Sequence, residues 1–318
     1  MRTIAGAALA AALLGANAAQ AAWPERPVQL LVPFAAGGIT DVVARVVAER
    51  LQTTFKQPFV VENDPGAAGI LAAQRLARAN PDGYTLMSCP VFQITIAPFT
   101  HKVDFDPMKD FTPISIVATS PFVIVVRAGL PANTLAEFIA YVKSRPGQLN
   151  FGSAGPGSFS HITAAIFLKS AGLDMVHVPY KGISPAFTDL LAGHIDMMAA
   201  TPVETKGYLN SGKVKVLAVT GAARSPQLPD VPTVAETLPI PPIETTHGIL
   251  APARTPPDTV DAIAREIAAA ENSAEFRERL QRIGVEPAIK TPAEFANIIA
   301  IDTARWRDVV HDLGLQVK

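Results

Sequence analysis

The chain has 318 residues, a length that allows two domains of ordinary size, each with its own core. Lys and Arg number 27 against 28 Asp and Glu, so the net charge is −1 and no basic patch suited to nucleic acid or to a membrane surface is visible. A single cysteine, Cys89, excludes an intramolecular disulfide, and the six histidines share no metal-ligand spacing. We therefore predict neither a metal nor a cofactor, and no nucleic-acid partner.

The N-terminus has the pattern of an export signal. Arg2 supplies a positive charge, Ile4–Ala16 an apolar core, and Ala19-Gln20-Ala21 an A-x-A cleavage site, with Pro24 soon after. The apolar stretch is too short to span a membrane. We predict that residues 1–21 are a signal peptide cleaved near Ala21, and that the mature protein is a soluble monomer of the bacterial periplasm.

Strand and helix patterns alternate after this segment. Strands are predicted at Val28–Val32, Phe59–Glu62, Tyr84–Ser88, Ile114–Ala118, Phe122–Val126, Asn150–Ser153, Met175–Val178, Ile195–Ala199 and Val214–Thr220. Helices are predicted at Asp41–Gln52, Ile70–Arg78, Leu135–Arg145, Phe159–Ser170, Pro185–Ala192, Pro257–Glu271 and Pro292–Asp312, with little strand between the last two. Such alternation is typical of α/β proteins with mostly parallel sheets and helices on both faces.

Two short apolar pieces suggest how the chain divides into lobes. Phe122–Val126 and Gly248–Ala251 are each bounded by turn residues, and we interpret them as strands that cross between two halves. The fold class expected is α/β with two doubly wound lobes joined by crossing hinge strands. Residues 22–121 and 252–318 form the first lobe and residues 122–251 the second. A double hinge permits closure around a ligand.

Three glycine turns each stand between a predicted strand and a predicted helix. They are Pro33–Asp41, Asp64–Gly69 and Phe151–Ser158. The backbone N–H groups that begin a helix have no partner within it, and the helix dipole favours an anion there. A fourth turn feeds a helix for which Ser184 is the expected N-cap and Pro185 the first residue.

Each polar residue of these turns also has a structural interpretation. Asp41 can complement the helix dipole and pair with Arg45, and His161 can be a hydrogen-bonded structural histidine. The third turn lacks the spacing of a nucleotide, dinucleotide or esterase site. An exported serine hydrolase using Ser153 or Ser160 with His161 is the alternative hypothesis. Because no nucleophile, base and orienting group come together in the sequence, we predict a binding protein and not an enzyme.

Motifs along almost the whole mature chain resemble one family. They are Trp23–Pro27, Val32–Asp41, Val61–Gly69, Pro81–Leu86, Gly152–Ser158, Val178–Gly182, Leu217–Thr220 and Leu228–Glu236. In this order they are similar to the substrate-binding proteins of tripartite tricarboxylate transporters, also called the Bug family. The resemblance implies a type II periplasmic binding fold that closes on a small organic carboxylate and delivers it to the transporter's membrane subunits.

The resemblance also implies a set of ligand-binding positions, contacting the carboxylate mostly through backbone amides and hydroxyls. They are Phe34, Ala35, Gly37, Gly38, Ile39, Ala67, Ala68, Ser153, Ala154, Ser158, His161 and Thr201. The sequence departs from many relatives near Ala200, where an acidic residue is common and Ala199-Ala200-Thr201 is neutral. This departure favours plain carboxylates or aromatic acids over amino acids.

Overall fold

The computed structural model describes residues 23–312 and Gly314, so the predicted signal segment lies outside the described residues. The predicted alternation of strands and helices is confirmed. The strands are β1 Val28–Val32, β2 Phe59–Asn63, β3 Thr85–Pro90, β4 Phe111–Pro121, β5 Val123–Arg127, β6 Asn150–Ser153, β7 Val176–Pro179, β8 Met197–Ala200, β9 Val214–Val219, β10 Glu244–Pro252 and β11 Glu286–Lys290. The helices are α1 Ile39–Phe55, α2 Ile70–Ala77, α3 Val91–Thr100, α4 Leu135–Lys143, α5 Phe159–Ala171, α6 Ile183–Ala192, α7 Pro202–Leu209, α8 Pro257–Ala270, α9 Ala274–Arg282 and α10 Pro292–Asp312.

The first sheet has the order β11-β4-β10-β3-β1-β2. Strand β1 pairs in parallel with β2 and β3, whereas β10 pairs antiparallel with β3 and β4. Helices α1, α8 and α9 pack on one face of this sheet, and α2, α3 and the start of α10 pack on the other. Since β1, β2 and β3 are parallel, the turns that follow them lie at the same edge of the sheet.

The second sheet has the order β7-β6-β8-β5-β9. Strand β6 pairs in parallel with β7 and β8, and β5 pairs antiparallel with β8 and β9. One face is covered by α4 and α5, around the fully buried Phe138 and Phe167, and the other by α6, around Phe187. The turns after β6 and β8 lead into α5 and α7 at the edge that faces the first sheet.

The chain passes between the sheets at Phe122 and again between β9 and β10. Phe122 and Thr220 tie the two passages together, since Phe122 N–H donates to Thr220 Oγ1 at 2.9 Å and Thr220 N–H donates to the Phe122 carbonyl at 2.8 Å. Residues 244–252 belong to the first sheet, because β10 pairs with β3 and β4. The second passage therefore lies before Glu244 and not at the expected Gly248–Ala251. The second lobe thus ends before Glu244, and not at residue 251 as expected.

Helix α10 makes a third connection between the lobes. Phe295 and Ile299 pack in the core of the first lobe, while Trp306 and Val310 pack in that of the second. Lys169 and Asp312 form an ion pair between α5 and the end of α10. The C-terminal residues assigned to the first lobe thus also support the second. Among the described residues, no helix is both long enough and apolar enough to cross a membrane.

Several elements differ from the prediction. Helices α3, α7 and α9 and strand β11 were not expected, and the last two occupy the interval predicted to hold little strand. Helix α6 begins at Ile183, with Gly182 as its N-cap and no side-chain cap, so the prediction of Ser184 as N-cap is wrong. Gly182 has a φ of 122°, a conformation that glycine adopts at little cost, and this turn starts the helix without help from a serine.

Candidate ligand-binding site

Two adjoining cavities lie between the sheets. The larger, which we call the main cavity, has a volume of about 350 Å³, and its neighbour, the side cavity, about 300 Å³. Residues of both lobes line them, and five residues line both, namely Phe34, Phe92, Ala154, Ser158 and Phe159. Phe159 packs against Phe92 and Phe122 with ring centroids 4.5 and 5.1 Å apart. No Lys or Arg of the described residues lines either cavity.

Three helices of the first lobe begin at this cleft. Gly38, Gly69 and Pro90 are the N-caps of α1, α2 and α3, and none of them caps its helix with a side-chain hydrogen bond. Within residues 23–312, the N–H groups of Ile39 and Thr40 in the first turn of α1 make no hydrogen bond, and both residues line the main cavity. Uncapped N–H groups and the positive end of the dipole make this edge suited to an anion.

Asp41 stabilises the first glycine turn through hydrogen bonds of its buried carboxylate. Its carboxylate accepts hydrogen bonds from the Gly37 N–H at 2.9 Å, from Asn63 at 2.9 Å and from two nitrogens of Arg45 at 3.0 Å. Burial opposes ionisation of Asp41, but these hydrogen bonds outweigh it and hold the pKa below its usual value. The predicted pair of Asp41 with Arg45 is confirmed, and the Gly37 amide is engaged inside the turn.

The loop of the second lobe between β6 and α5 satisfies most of its own amides. Ala154 N–H donates to Ser160 Oγ at 3.0 Å, Gly155 N–H to Ser153 Oγ at 3.1 Å, and Gly157 N–H to His161 Nδ1 at 3.2 Å. Ser158 caps α5 by accepting from the N–H of His161. The loop amides of Ala154, Gly155 and Gly157 are thus engaged, and the side chains of Ser158 and Ser160 line the main cavity. Within residues 23–312, the N–H groups of Phe159 and Ser160 in the first turn of α5 make no hydrogen bond.

Two stacked histidines, the buried His161 and the half-buried His177, support that loop. The rings of His161 and His177 stack with centroids 4.0 Å apart, and Phe151 stacks on His177 at 4.8 Å. Burial, reinforced by the neighbouring His177, lowers the pKa of His161 to about 4. His161 is therefore neutral at ordinary pH, with Nδ1 accepting from Gly157, so the structural interpretation of this residue is the one the contacts favour.

Thr201 borders the main cavity at the start of α7. Its hydroxyl accepts from the Glu204 N–H, and the Glu204 carboxylate accepts from both the N–H and the hydroxyl of Thr201, at 2.9 and 2.7 Å. Glu204 lines the main cavity as well. The segment Ala199-Ala200-Thr201 is neutral, as the sequence states, but the fold brings an acidic side chain to the cavity from one turn further on. The sequence interpretation missed it.

The predicted binding residues divide into three groups. Phe34, Ile39, Ala154, Ser158 and Thr201 line the main cavity. Ala35, Gly37, Gly38 and Ala67 lie exposed in the turns beside it, and Ala68 lies in the 3₁₀ turn Ala67–Gly69 that precedes α2. Ser153 and His161 are buried beneath the second-lobe loop.

Three further polar residues reach the main cavity from the hinge-side strands. Ser120 on β4 and Thr245 and His247 on β10 all line it. Sequence reasoning passed over them, because it treated His247 only as a candidate metal ligand and assigned Ser120 no role. The available signal was a threonine and a histidine two residues apart in one strand, a spacing that places both side chains on one face.

The geometry does not favour the hydrolase hypothesis. Ser153 Oγ contacts His177 Nε2 at 2.7 Å and not the predicted His161, and Ser153 is fully buried. Ser160 Oγ contacts Ser158 Oγ at 3.0 Å and accepts from Ala154, so it too is engaged with the loop. A serine nucleophile needs a general base within hydrogen-bonding reach, and neither serine hydroxyl contacts His161 among the described residues.

Comparison with known proteins agrees with this architecture. Residues 43–315 match the family described as "Tripartite tricarboxylate transporter family receptor". The chain belongs to this family. A relative encoded in the gbd 5′ region of Cupriavidus necator is 36% identical over 312 residues, which cover 97% of this chain and 94% of the relative. The predicted family and the type II periplasmic binding fold are thus confirmed.

Solved structures of similar sequence have the same fold. The periplasmic binding protein BugD is 34% identical with a TM-score of 0.75, covering 93% of this chain and 100% of BugD. An R. palustris protein solved with adipate is 33% identical with a TM-score of 0.78, covering 92% and 98%. MatC from Rhodopseudomonas palustris with bound malate is 34% identical with a TM-score of 0.72, covering 91% and 100%. The chain is therefore a solute-binding protein of the tripartite receptor family.

Proposed function

We propose that this receptor captures a small organic carboxylate between its lobes and delivers it to the membrane subunits of a tripartite transporter. One observation carries the proposal. Helices α1, α2 and α3 begin at the cleft without side-chain caps, and the N–H groups of Ile39 and Thr40 stand beside a cavity that no Lys or Arg of the described residues lines. An anionic group is the partner that such an edge lacks.

The energies are sufficient without a basic residue. A hydrogen bond to a charged group contributes roughly 1.5–3 kcal/mol. Four to six such bonds give very roughly 6–18 kcal/mol before the cost of immobilising the ligand and the lobes. Micromolar affinity needs about 8 kcal/mol. Uncharged donors can therefore hold the ligand and still release it to a transporter.

The relatives support the chemistry of the ligand and the place of action. Two of the similar structures contain adipate and malate, both carboxylates. Membership of a transporter receptor family, together with the signal pattern that ends near Ala21, supports a role in the periplasm. We propose that the receptor acts there as a monomer, needs no cofactor, and is not an enzyme.

Isothermal titration calorimetry against a panel of mono- and dicarboxylates tests the proposal. We expect at least one carboxylate to bind with a Kd of micromolar order or tighter, and its uncharged amide analogue to bind far more weakly. Native mass spectrometry of freshly purified protein gives an independent readout, the mass of a co-purifying acid. The proposal fails if no carboxylate binds while ester turnover appears and is lost in His161→Gln.

A further inference from the structure

The hinge-side wall of the main cavity carries a polar cluster made by Ser120, Thr245 and His247. Thr245 pairs directly with Ser120 across the antiparallel β4–β10 ladder, so their side chains share a face. His247 follows Thr245 by two residues on the same strand and lies on that face too. All three residues line the main cavity. The register of two strands thus brings together side chains that lie far apart in the sequence.

Two members of this cluster have no hydrogen-bond partner in the part of the chain that the structure describes. Ser120 and His247 are only 2% and 3% exposed. Among the described residues, nothing hydrogen-bonds to Ser120 Oγ or to either ring nitrogen of His247. Leaving a buried polar group unsatisfied costs about 1–3 kcal/mol, and native proteins avoid it almost everywhere. Since both residues border a cavity, a bound molecule can supply the missing partners.

The cluster is uncharged. Complete burial lowers the pKa of His247 to about 4, so its imidazole is neutral at ordinary pH and offers one N–H donor and one acceptor nitrogen. The serine and threonine hydroxyls also donate and accept. A group that both donates and accepts, such as a hydroxyl, matches this set of atoms. A second carboxylate accepts only, and it would share the cavity with the Glu204 carboxylate.

The space between the cluster and the helix N-termini is apolar. Phe34, Phe92, Phe122 and Phe159 line the main cavity together with Ile39 and Ile183. These side chains suit a hydrocarbon or aromatic body of the ligand. A single carboxylate at the start of α1, an apolar body against the phenylalanines, and a neutral polar group at His247 together match these three parts of the lining.

We propose that Ser120, Thr245 and His247 form a specificity site that recognises a neutral hydroxyl on an apolar monocarboxylate. The inference rests on the proposed function and narrows it. It assigns a ligand class different from the dicarboxylates adipate and malate seen in the similar structures. Residues of the hinge-side strands thereby select the ligand, while the helix N-termini hold its carboxylate.

Two matched ligand series test this assignment by calorimetry. One is hexanoate, 6-hydroxyhexanoate and adipate, and the other is benzoate, 4-hydroxybenzoate and terephthalate. In at least one series we expect the hydroxy acid to bind about tenfold or more tightly than both its unsubstituted parent and the dicarboxylate, as one well-placed hydrogen bond allows. A dicarboxylate that binds most tightly in both series overturns the assignment and leaves the proposed function intact.

Variants then test whether the preference for the hydroxy acid depends on His247 and Ser120. His247→Phe and Ser120→Ala should remove the preference for the hydroxy acid while the affinity for the unsubstituted parent changes less than threefold. His247→Gln keeps a donor and an acceptor and should retain part of the preference. Thermal unfolding shows whether each variant is folded. Loss of affinity for all members of both series in equal measure would indicate a purely structural role, and failure of every acid to bind wild-type protein would overturn the proposed function itself.

Discussion

At the first-lobe edge of the cleft, helices α1, α2 and α3 begin without side-chain caps. At the second-lobe edge Ser158 and Thr201 cap α5 and α7, and of α5, α6 and α7 only α6 begins without such a cap. The two edges derive from glycine-rich turns of similar sequence. In the first lobe the turn around Gly37 is fixed from beneath by Asp41, and donors are left over at Ile39 and Thr40. In the second lobe Ser160, Ser153 and His161 accept from three N–H groups of their own loop, and Ser158 accepts from the third N–H of α5. Only the N–H groups of Phe159 and Ser160 are left over at the start of α5, within the described residues.

The contrast shows that a glycine turn before a helix does not by itself predict a free anion site. What decides is whether nearby side chains satisfy the first N–H groups of the helix. We infer that the first lobe binds the carboxylate of the ligand, while the second lobe and the hinge-side strands line the rest of the cavity.

The largest effect is expected from adding a methyl group at Gly69, where φ is +87°. A Cβ there would lie 1.5 Å from Gln93 Nε2 and 2.8 Å from Pro33 Cβ, so Gly69→Ala must displace the first-lobe edge. Overpacking and left-handed strain together predict a loss of about 4 kcal/mol in the free energy of unfolding.

Gly157→Ala is the matched control in the second-lobe loop. Its φ is +74°, and a Cβ there would meet nothing within 4 Å. Only backbone strain remains, which predicts a loss of about 1–2 kcal/mol. Urea denaturation measures both variants. Equal losses would show that the two edges are not packed as differently as the structure indicates.

The unpartnered His247 predicts an acid-sensitive first lobe. Burial lowers its pKa from the usual 6.5 to about 4, so between these values the unfolded chain binds a proton that the folded protein does not. Stability therefore falls as the pH falls from 6.5 to 4, and this one residue contributes up to about 3 kcal/mol of that loss. In His247→Gln, urea denaturation across this range should show a shallower decline. An unchanged pH dependence would contradict the assignment.

Removing a single backbone N–H tests whether the start of α1 binds the ligand carboxylate. Ile39 is the first residue of α1, where proline is well tolerated, and Gly38 has the extended backbone that precedes proline readily. Ile39→Pro removes one N–H donor to the ligand, and Ile39→Ala removes only the side chain. We expect calorimetry to show roughly ten- to a hundredfold weaker carboxylate binding for the proline variant than for the alanine variant. Equal affinities would mean that this amide does not bind the ligand.

The smallest effect concerns the side-chain caps. Thr201→Val keeps the shape of the side chain but breaks the capping box of α7, which predicts a loss of about 1 kcal/mol in unfolding free energy. Thr40→Val is the counterpart in the first lobe, where the Thr40 hydroxyl makes no hydrogen bond within the described residues. We expect a change below about 0.5 kcal/mol there. A larger loss of unfolding free energy for Thr40→Val than for Thr201→Val would contradict the inference that side-chain caps matter more at the second-lobe edge.

Much of the fold could be predicted because its signals are local. Apolar runs such as Val28–Val32, followed by glycine and then helical spacing, predicted the parallel units of both lobes. Helix α3 was missed because Pro98 and its nearly continuous apolar surface hide the helical period, and α9 because its charged sequence shows few apolar residues.

The site could be predicted only in part because much of it is made by long-range pairing. The family resemblance implied Phe34, Ile39, Ala154, Ser158 and Thr201 as ligand-binding positions, and all five line the main cavity. Ser120 and Thr245 meet only through the register of β4 with β10, which no local pattern states. The engagement of the second-lobe amides by Ser153, Ser160 and His161 depends likewise on side-chain geometry.

A crystal structure of the receptor with a bound carboxylate tests the central claim most directly. We predict carboxylate oxygens within hydrogen-bonding distance, about 2.7–3.2 Å, of the N–H groups of Ile39 and Thr40 at the start of α1. A carboxylate held instead by the second-lobe loop around Ala154, or bound outside the cleft, would contradict the account.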